Sequence, residues 1–281
     1  MQLMNIPENI EKYYPSDKYY SFDSSKKKNI HTDLLRKIKA GYILYGKNKL
    51  AGRLLSLGYT LPTFFEWLKT AKIKIEDSIL DVGCGGGGLL ISLYKNGFKN
   101  LTGIDPYNKE DIDYGGFKIY KKQVFDLNGQ YDFIMLNHVF EHIEEPWPLL
   151  DQLFKLLKPG KFLLIRTPVM GTYGWQHYGE NWMALDAPRH QIIHSIGSLK
   201  LLAEAAGFTL TKIVFDGDGN SLIASEQYKM DIPLTDIQSS VTNKDSKLFT
   251  EKEINSYNRK AVEENERKNG DQAAFYLYKP A

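Results

Sequence analysis

Ile79-Leu-Asp-Val-Gly-Cys-Gly-Gly-Gly-Gly-Leu-Leu90 decides the fold class of this chain. An apolar strand runs into Gly83-Cys84 and four consecutive glycines, and a helical apolar pattern starts at once behind them. Glycines here let a ligand reach bare backbone, with the N–H groups and positive dipole end of the following helix turned toward it. The next apolar run ends in Gly103-Ile104-Asp105, twenty residues beyond Gly85. An acid at that distance can accept hydrogen bonds from both hydroxyls of an adenosine ribose. The loop fits two patterns, Gly83-x-Gly85-x-x-Gly88 and Asp81-x-Gly83-x-Gly85-x-Gly87. With its flanking strand, helix and spaced acid, it indicates a cofactor that contains a nucleoside.

Outward from the loop, short apolar runs at 78–82, 100–104, 117–120, 131–136 and 161–165 read as strands. They alternate with helical segments at 87–95, 146–157 and 198–206, the signature of a parallel α/β sheet. Pro62 opens a helix over 63–69. Lys158-Pro-Gly-Lys161 reads as a tight turn into the fifth strand. Residues 208–215 alternate like a strand, and 273–279 return to the sheet beside them in preference to 221–225. The expected fold is a Rossmann-like, seven-stranded, mostly parallel sheet with helices on both faces and an antiparallel last strand. Its parts are a tyrosine-rich N-terminal lid (1–60), a core (61–216), a polar insertion (217–271) and a final strand (272–281). The insertion contains a charged helical stretch, 250–268, without an apolar stripe.

Composition narrows the class. With 281 residues, 42% hydrophobic and 25% charged, the chain reads as an ordinary globular protein rather than a disordered or fibrous one. No apolar run approaches the roughly 20 residues that span a bilayer. Residues 1–8 lack the basic and apolar regions of a secretory signal. The single cysteine, Cys84, cannot form an internal bridge, so a cytoplasmic setting is expected. The formal charge is +2. The densest basic run, Lys26-Lys27-Lys28 with Lys37, Lys39, Lys47 and Lys49, reads as solvated surface rather than a phosphate-binding patch, and no nucleic-acid partner is expected.

Five stretches in order carry a family resemblance: Asp81-x-Gly83-x-Gly85-x-Gly87; Asp105; Tyr131-Asp-x-Ile-x-x-x-His-Val-x-Glu-His142; Leu156-Leu-Lys-Pro-Gly-Lys-Phe-Leu-Leu164; and Asp186-Ala-Pro-Arg-His190. The chain resembles the class I S-adenosylmethionine-dependent methyltransferases, within the subgroup of ubiquinone-type O-methyltransferases and sugar-tailoring methyltransferases of polysaccharide pathways. The likeness covers about 60–215 and the final strand. It implies S-adenosylmethionine as cofactor, with Asp81 and Gly83 bordering its methionine portion, Gly85 and Gly87 allowing close approach, and Asp105 holding the ribose. It places Asp126 near the adenine, with Phe125 against it, and Asn137 and His138 where the sulfonium methyl points.

His138-Val-Phe-Glu-His142 also matches the inverted zinc-protease pattern. That site needs a helix, and this segment leaves a strand, so no metal is assigned. Glu141, Glu144 and Glu145 leave metal dependence open. Trp182, Asp186, Arg189 and His190 form a second polar group on the 167–197 loop. They read as an acceptor pocket, or as an Asp186–Arg189 ion pair holding the loop, the two being compatible. His190, then His138, is expected to act as base toward an acceptor hydroxyl. The acceptor is read as a small molecule, a sugar or quinone-like hydroxyl. Two alternatives stand, an NAD-linked oxidoreductase on the same loop and a non-catalytic cofactor binder, and a homodimer is left open through 217–271.

Overall fold

Strand alternation divides the hydrophobic residues between two faces of one sheet. In β1 (Ile79–Val82), Leu80 and Val82 join the core under one helical layer while Ile79 joins the core on the opposite face. The structure is a computed structural model that describes residues 1–3, 7–13, 33–57 and 62–281. Much of the tyrosine-rich N-terminal segment, including Tyr14, Tyr19, Tyr20, Tyr59 and Lys26-Lys27-Lys28, lies outside the described residues.

The described chain runs through α1 (Leu34–Tyr45), α2 (Lys49–Ser56), α3 (Phe64–Thr70), β1, α4 (Gly88–Lys95), β2 (Leu101–Ile104), β3 (Ile112–Asp113), β4 (Lys118–Tyr120) and β5 (Tyr131–Asn137). It continues through α5 (Pro146–Leu156), β6 (Leu157–Pro168), α6 (Tyr173–Tyr178), α7 (Ile196–Ala205), β7 (Thr209–Phe215), α8 (Gly219–Tyr228), α9 (Glu251–Glu266) and β8 (Gln272–Tyr278). The strand order is β3-β4-β2-β1-β5-β6-β8-β7. β4, β2, β1, β5 and β6 are parallel, β8 is antiparallel to both β6 and β7, and β3 is antiparallel to β4.

This is the Rossmann-like arrangement read from the sequence, with eight strands instead of seven. The extra one, β3, is two residues of edge pairing, too short to leave a periodicity in the sequence. The turn expected at Lys158-Pro-Gly-Lys161 is absorbed into β6, where one residue of β5, Asp132, stands opposite these four of β6. Gly160, at φ +73°, makes that excursion possible, and its N–H donates to the Lys279 carbonyl, which keeps the segment in the sheet. Residues 221–225 lie in α8, and 272–278 form the strand between β6 and β7.

One core packs α5 and α7 against Leu80, Ile134, Leu136, Leu163, Ile165 and Phe275. The other packs α1, α3 and α4 against Ile79, Phe133, Met135 and Leu164. Burying each such aliphatic side chain contributes about 2 kcal/mol. A third, smaller cluster joins α6, α8 and α9 through Tyr178, Trp182, Leu222 and Ala261. α9 shows why the sequence has no stripe there: only Ala261 and Glu264 are buried, and Thr250 with Glu253 forms the capping box that starts it. The strand order reverses between β2 and β5 on either side of β1, so the crevice beyond the carboxyl ends of β1, β2 and β5 is the expected ligand site.

Candidate active site

The glycine loop is held open by its own backbone. Gly83, Gly85 and Gly87 have φ of +69°, +52° and +75°, the left-handed region that other residues enter at a cost. A Cβ on Gly83 would meet Val139 Cγ2 at 2.4 Å, and one on Gly87 would meet Ile119 Cδ1 at 2.3 Å. Asp105, at the end of β2, ties the loop down. One carboxylate oxygen accepts from the Gly85 N–H at 2.9 Å and the other from the Tyr107 N–H at 2.9 Å. Asn108 donates to the Gly85 carbonyl and Tyr114 to that of Gly86.

Two buried acids stand at this end. Burial and the nearby Asp105 raise the Asp81 carboxyl to about 8. Burial also raises Asp105, against the pull of its two N–H donors. Among the described residues no cationic side chain pairs with either. A pair of buried carboxyls without a cation suits a ligand that brings positive charge and hydroxyl donors.

A cavity of about 630 Å³ opens from this loop, within the size range of small-molecule sites. Gly83, Asp105 and Phe125 line one end, and His138, Val139 and His142 the other. Phe125 presents its ring to the opening. Asp126 turns away: its carboxylate caps the short turn Val124–Asp126 by accepting from the Gln123 N–H at 2.9 Å, and it does not line the cavity. Asp81, Gly85, Gly87 and Asn137 do not line it either, so of the expected cofactor residues Gly83, Asp105, Phe125 and His138 form its wall.

The far end is a network around Glu141, a fully buried carboxylate. His138 follows β5 with φ +55°, a strained conformation for a non-glycine residue and a frequent mark of functional positions. Its Nε2 accepts from Arg166 Nη1 at 2.6 Å, since a guanidinium can only donate, so its Nδ1–H donates to Glu141 Oε1 at 3.1 Å. Arg166 also donates to Asn137 Oδ1 at 3.2 Å and to Asp216 Oδ2 at 2.7 Å. Thr167 donates to the second Glu141 oxygen at 2.9 Å. Burial works to raise the Glu141 carboxyl, but the His138 hydrogen bond and the surrounding His138, His190 and His142 outweigh it and hold it at about 2.

His142 and His190 stand edge to face with ring centres 4.7 Å apart. Each donates Nδ1–H to a backbone carbonyl, that of Arg189 at 2.9 Å and that of Ala184 at 2.6 Å, which puts both lone pairs on Nε2. His190 Nε2 lies 4.0 Å from Glu141 Oε1 and 3.7 Å from Asp186 Oδ2. Burial lowers the His142 pKa, favouring its neutral form. Glu141, His142 and His190 bring their ligand atoms within 4.8 Å of one another, the one group among the described residues with the donors for a metal ion. His138 is outside it, so the H-x-x-E-H pattern does not form a zinc-protease site: only a short 3-10 turn, Phe140–His142, follows the strand.

The second polar group separates. Asp186 and Arg189 form the ion pair considered in the sequence. His190 is brought to Glu141, behind His142 rather than on the cavity wall. Trp182 is only 1% exposed, and its indole donates to Asp271 at 3.3 Å inside the small cluster under α8. It does not line the cavity, a correction to its expected acceptor-binding role, because the polar insertion covers it. Sequence reasoning missed Arg166, Thr167 and Asp216, and gave Glu141 no partner. The one available signal was an arginine closing the apolar run 161–165.

The methyltransferase-domain family model matches residues 44–213, more than half of the chain. The mitochondrial ubiquinone biosynthesis O-methyltransferase of Saccharomyces cerevisiae is 32% identical over 146 residues, 46% of each chain. Mouse EEF1A lysine methyltransferase 2 is 37% identical over 69 residues, 25% of this chain and 28% of that one. The chain thus spans less than half the length of these two curated relatives. A solved complex of the Haloferax volcanii Trm112 methyltransferase activator with a methyltransferase has the same fold, with a TM-score of 0.50 at 16% identity over 78% of this chain and 89% of that one. The chain belongs to the methyltransferase-domain family. Among the described residues no helix is long and apolar enough to cross a membrane.

Proposed function

We propose that the chain transfers a methyl group from S-adenosylmethionine to a hydroxyl of a small molecule, a sugar or quinone-like compound. The observation that carries this reading is the single cavity bounded by Asp105 and the bare loop at one end and by His138 and His142 at the other. The bound cofactor supplies a methyl group on a sulfonium sulfur, an already activated leaving group. Asp105 would accept from the ribose hydroxyls, Phe125 would pack on the adenine, and Asp81, buried off the cavity wall, would offset the positive charge of the amino-acid tail. Alignment and exclusion of water then account for most of the rate.

The proton of the acceptor hydroxyl needs a base. Both nitrogens of His138 are engaged, with Arg166 and Glu141, so His138 orients the acceptor rather than taking its proton. His142 is assigned the base instead: it lines the same cavity, and the Arg189 carbonyl fixes its ring through Nδ1–H. His190 supports it from behind, a change from the base role expected in the sequence. The Glu141, His142 and His190 group favours a second reading, in which a divalent ion held there acidifies the hydroxyl. The likeness to an O-methyltransferase supports a hydroxyl acceptor, while the lysine methyltransferase shows that relatives differ in acceptor.

The test pairs calorimetry with radiolabelled methyl incorporation into fractionated cell extract. S-adenosylhomocysteine binds, NAD does not, and label appears in a small-molecule fraction. Label confined to protein sinks the acceptor reading, and binding without label anywhere makes the chain a non-catalytic binder. Turnover that survives exhaustive chelation removes the metal reading and leaves His142.

A further inference from the structure

Helices α1 and α2 form a hairpin that the proposed reaction does not use. Its inner side is well packed: Ala40 and Gly41 are buried, Ile43 and Leu44 join the core with α3 and α4, and Gly52 sits so close to Tyr42 that a Cβ there would lie 2.2 Å from it. Its anchor points are the amino ends of the strands. Tyr45 donates to the Ile73 carbonyl ahead of β1, and the Asp33 N–H donates to the Lys95 carbonyl ahead of β2. The cofactor cavity is at the opposite, carboxyl edge.

The outer side is apolar and basic. Leu50 and Leu54 share one face of α2 at i, i+4 spacing, Leu57 follows at its C-cap, and the three are 90%, 75% and 73% exposed; Leu34 and Leu35 are exposed on α1. Around them residues 33–57 hold Arg36, Lys37, Lys39, Lys47, Lys49 and Arg53 against one acid, Asp33. Lys47, Lys49 and Arg53 are exposed beside the leucines. The basic run Lys26-Lys27-Lys28 precedes the hairpin in the sequence.

We infer that this hairpin face docks on an anionic lipid bilayer surface. Leucines flanked by lysine and arginine, with almost no acid, match a layer that is anionic at its headgroups and apolar just beneath. A second copy would set the same positive charge against itself. Single-stranded nucleic acid would call for stacking aromatics where the hairpin offers leucines. The contact is interfacial, since two short helices cannot span a bilayer.

Flotation of the full chain with vesicles tests this. Vesicles of phosphatidylcholine with about one-third phosphatidylglycerol should carry at least about tenfold more protein than pure phosphatidylcholine vesicles, and high salt should release much of it. Leu50→Ser/Leu54→Ser should lower that partitioning by about tenfold, and Lys49→Glu/Arg53→Glu should abolish the preference for anionic vesicles. Both variants should keep wild-type S-adenosylhomocysteine affinity, which shows that they fold. No flotation, equal flotation with both vesicle types, or flotation unchanged in both variants overturns the inference. So does a concentration-dependent dimer in sedimentation velocity that Leu50→Ser/Leu54→Ser dissolves.

Discussion

The two ends of the cavity are built on opposite principles. The loop end is bare backbone and buried acids, with Asp81 raised to about 8 and Asp105 held by two N–H donors. The histidine end is side chain throughout: Glu141 held at about 2, with His138, Arg166, Thr167, His142 and His190 around it. The acids of one end have no ion-pair partner among the described residues, and the acid of the other is well supplied with donors. The contrast teaches that the first holds its carboxyls with backbone N–H donors, whereas the second holds its carboxylate with side-chain donors gathered from across the chain.

Replacing a residue of the histidine end should therefore separate turnover from cofactor binding. His142→Gln should reduce kcat by about 100-fold to 1,000-fold while the S-adenosylhomocysteine dissociation constant stays within about twofold. Steady-state kinetics beside calorimetry reads both; a parallel loss of affinity would erase the division between the ends.

Gly83→Ala strikes where they meet, because its new methyl group runs into Val139 at a position of φ +69°. Cofactor affinity should fall by about 100-fold and stability by about 2 kcal/mol, measured by calorimetry and urea unfolding. A variant with wild-type affinity would mean that the loop relaxes freely.

The charge contrast sets a pH dependence. In the free protein burial keeps Asp81 protonated up to about pH 8, whereas a bound ammonium group favours the carboxylate. Binding then releases a proton, and affinity for S-adenosylhomocysteine should rise with pH from about 6.5 to 8, by at most tenfold per unit. Asp81→Asn should flatten that slope. A slope unchanged in this variant assigns the proton to another group.

The same shift acts on stability. The folded-state pKa of Asp81 lies above its unfolded value, so its contribution is present in full at low pH and fades as pH rises toward about 8. At pH 8 the ligand-free Asp81→Asn protein should melt clearly above wild type, and the gap should close as pH falls toward 4. Thermal scans at both values check the sign.

Legibility in the sequence follows the same division. The loop end is local: a strand, a glycine run and an acid twenty residues on are readable because each constrains its own backbone. The sheet was equally open to reading except for β3, whose two residues carry no period. The histidine end is assembled across the chain. His142 meets Arg189 through a bond that spans 47 residues, and Arg166 meets Asp216 across 50. Nothing local marks such pairs, and His190, expected as the base, lies beside Glu141 and off the cavity wall. Trp182 was placed in a pocket for a related reason, since its covering helix α8 comes from an insertion with no apolar stripe.

The central claim is that Asp105 grips the cofactor's sugar at the end of β2. Calorimetric titration of S-adenosylhomocysteine into Asp105→Ala, alongside wild type and a circular-dichroism check of folding, tests it most directly. The account predicts a dissociation constant about 30-fold higher in a folded variant, the loss of hydrogen bonds to a charged acceptor. An unchanged constant in a folded variant contradicts it.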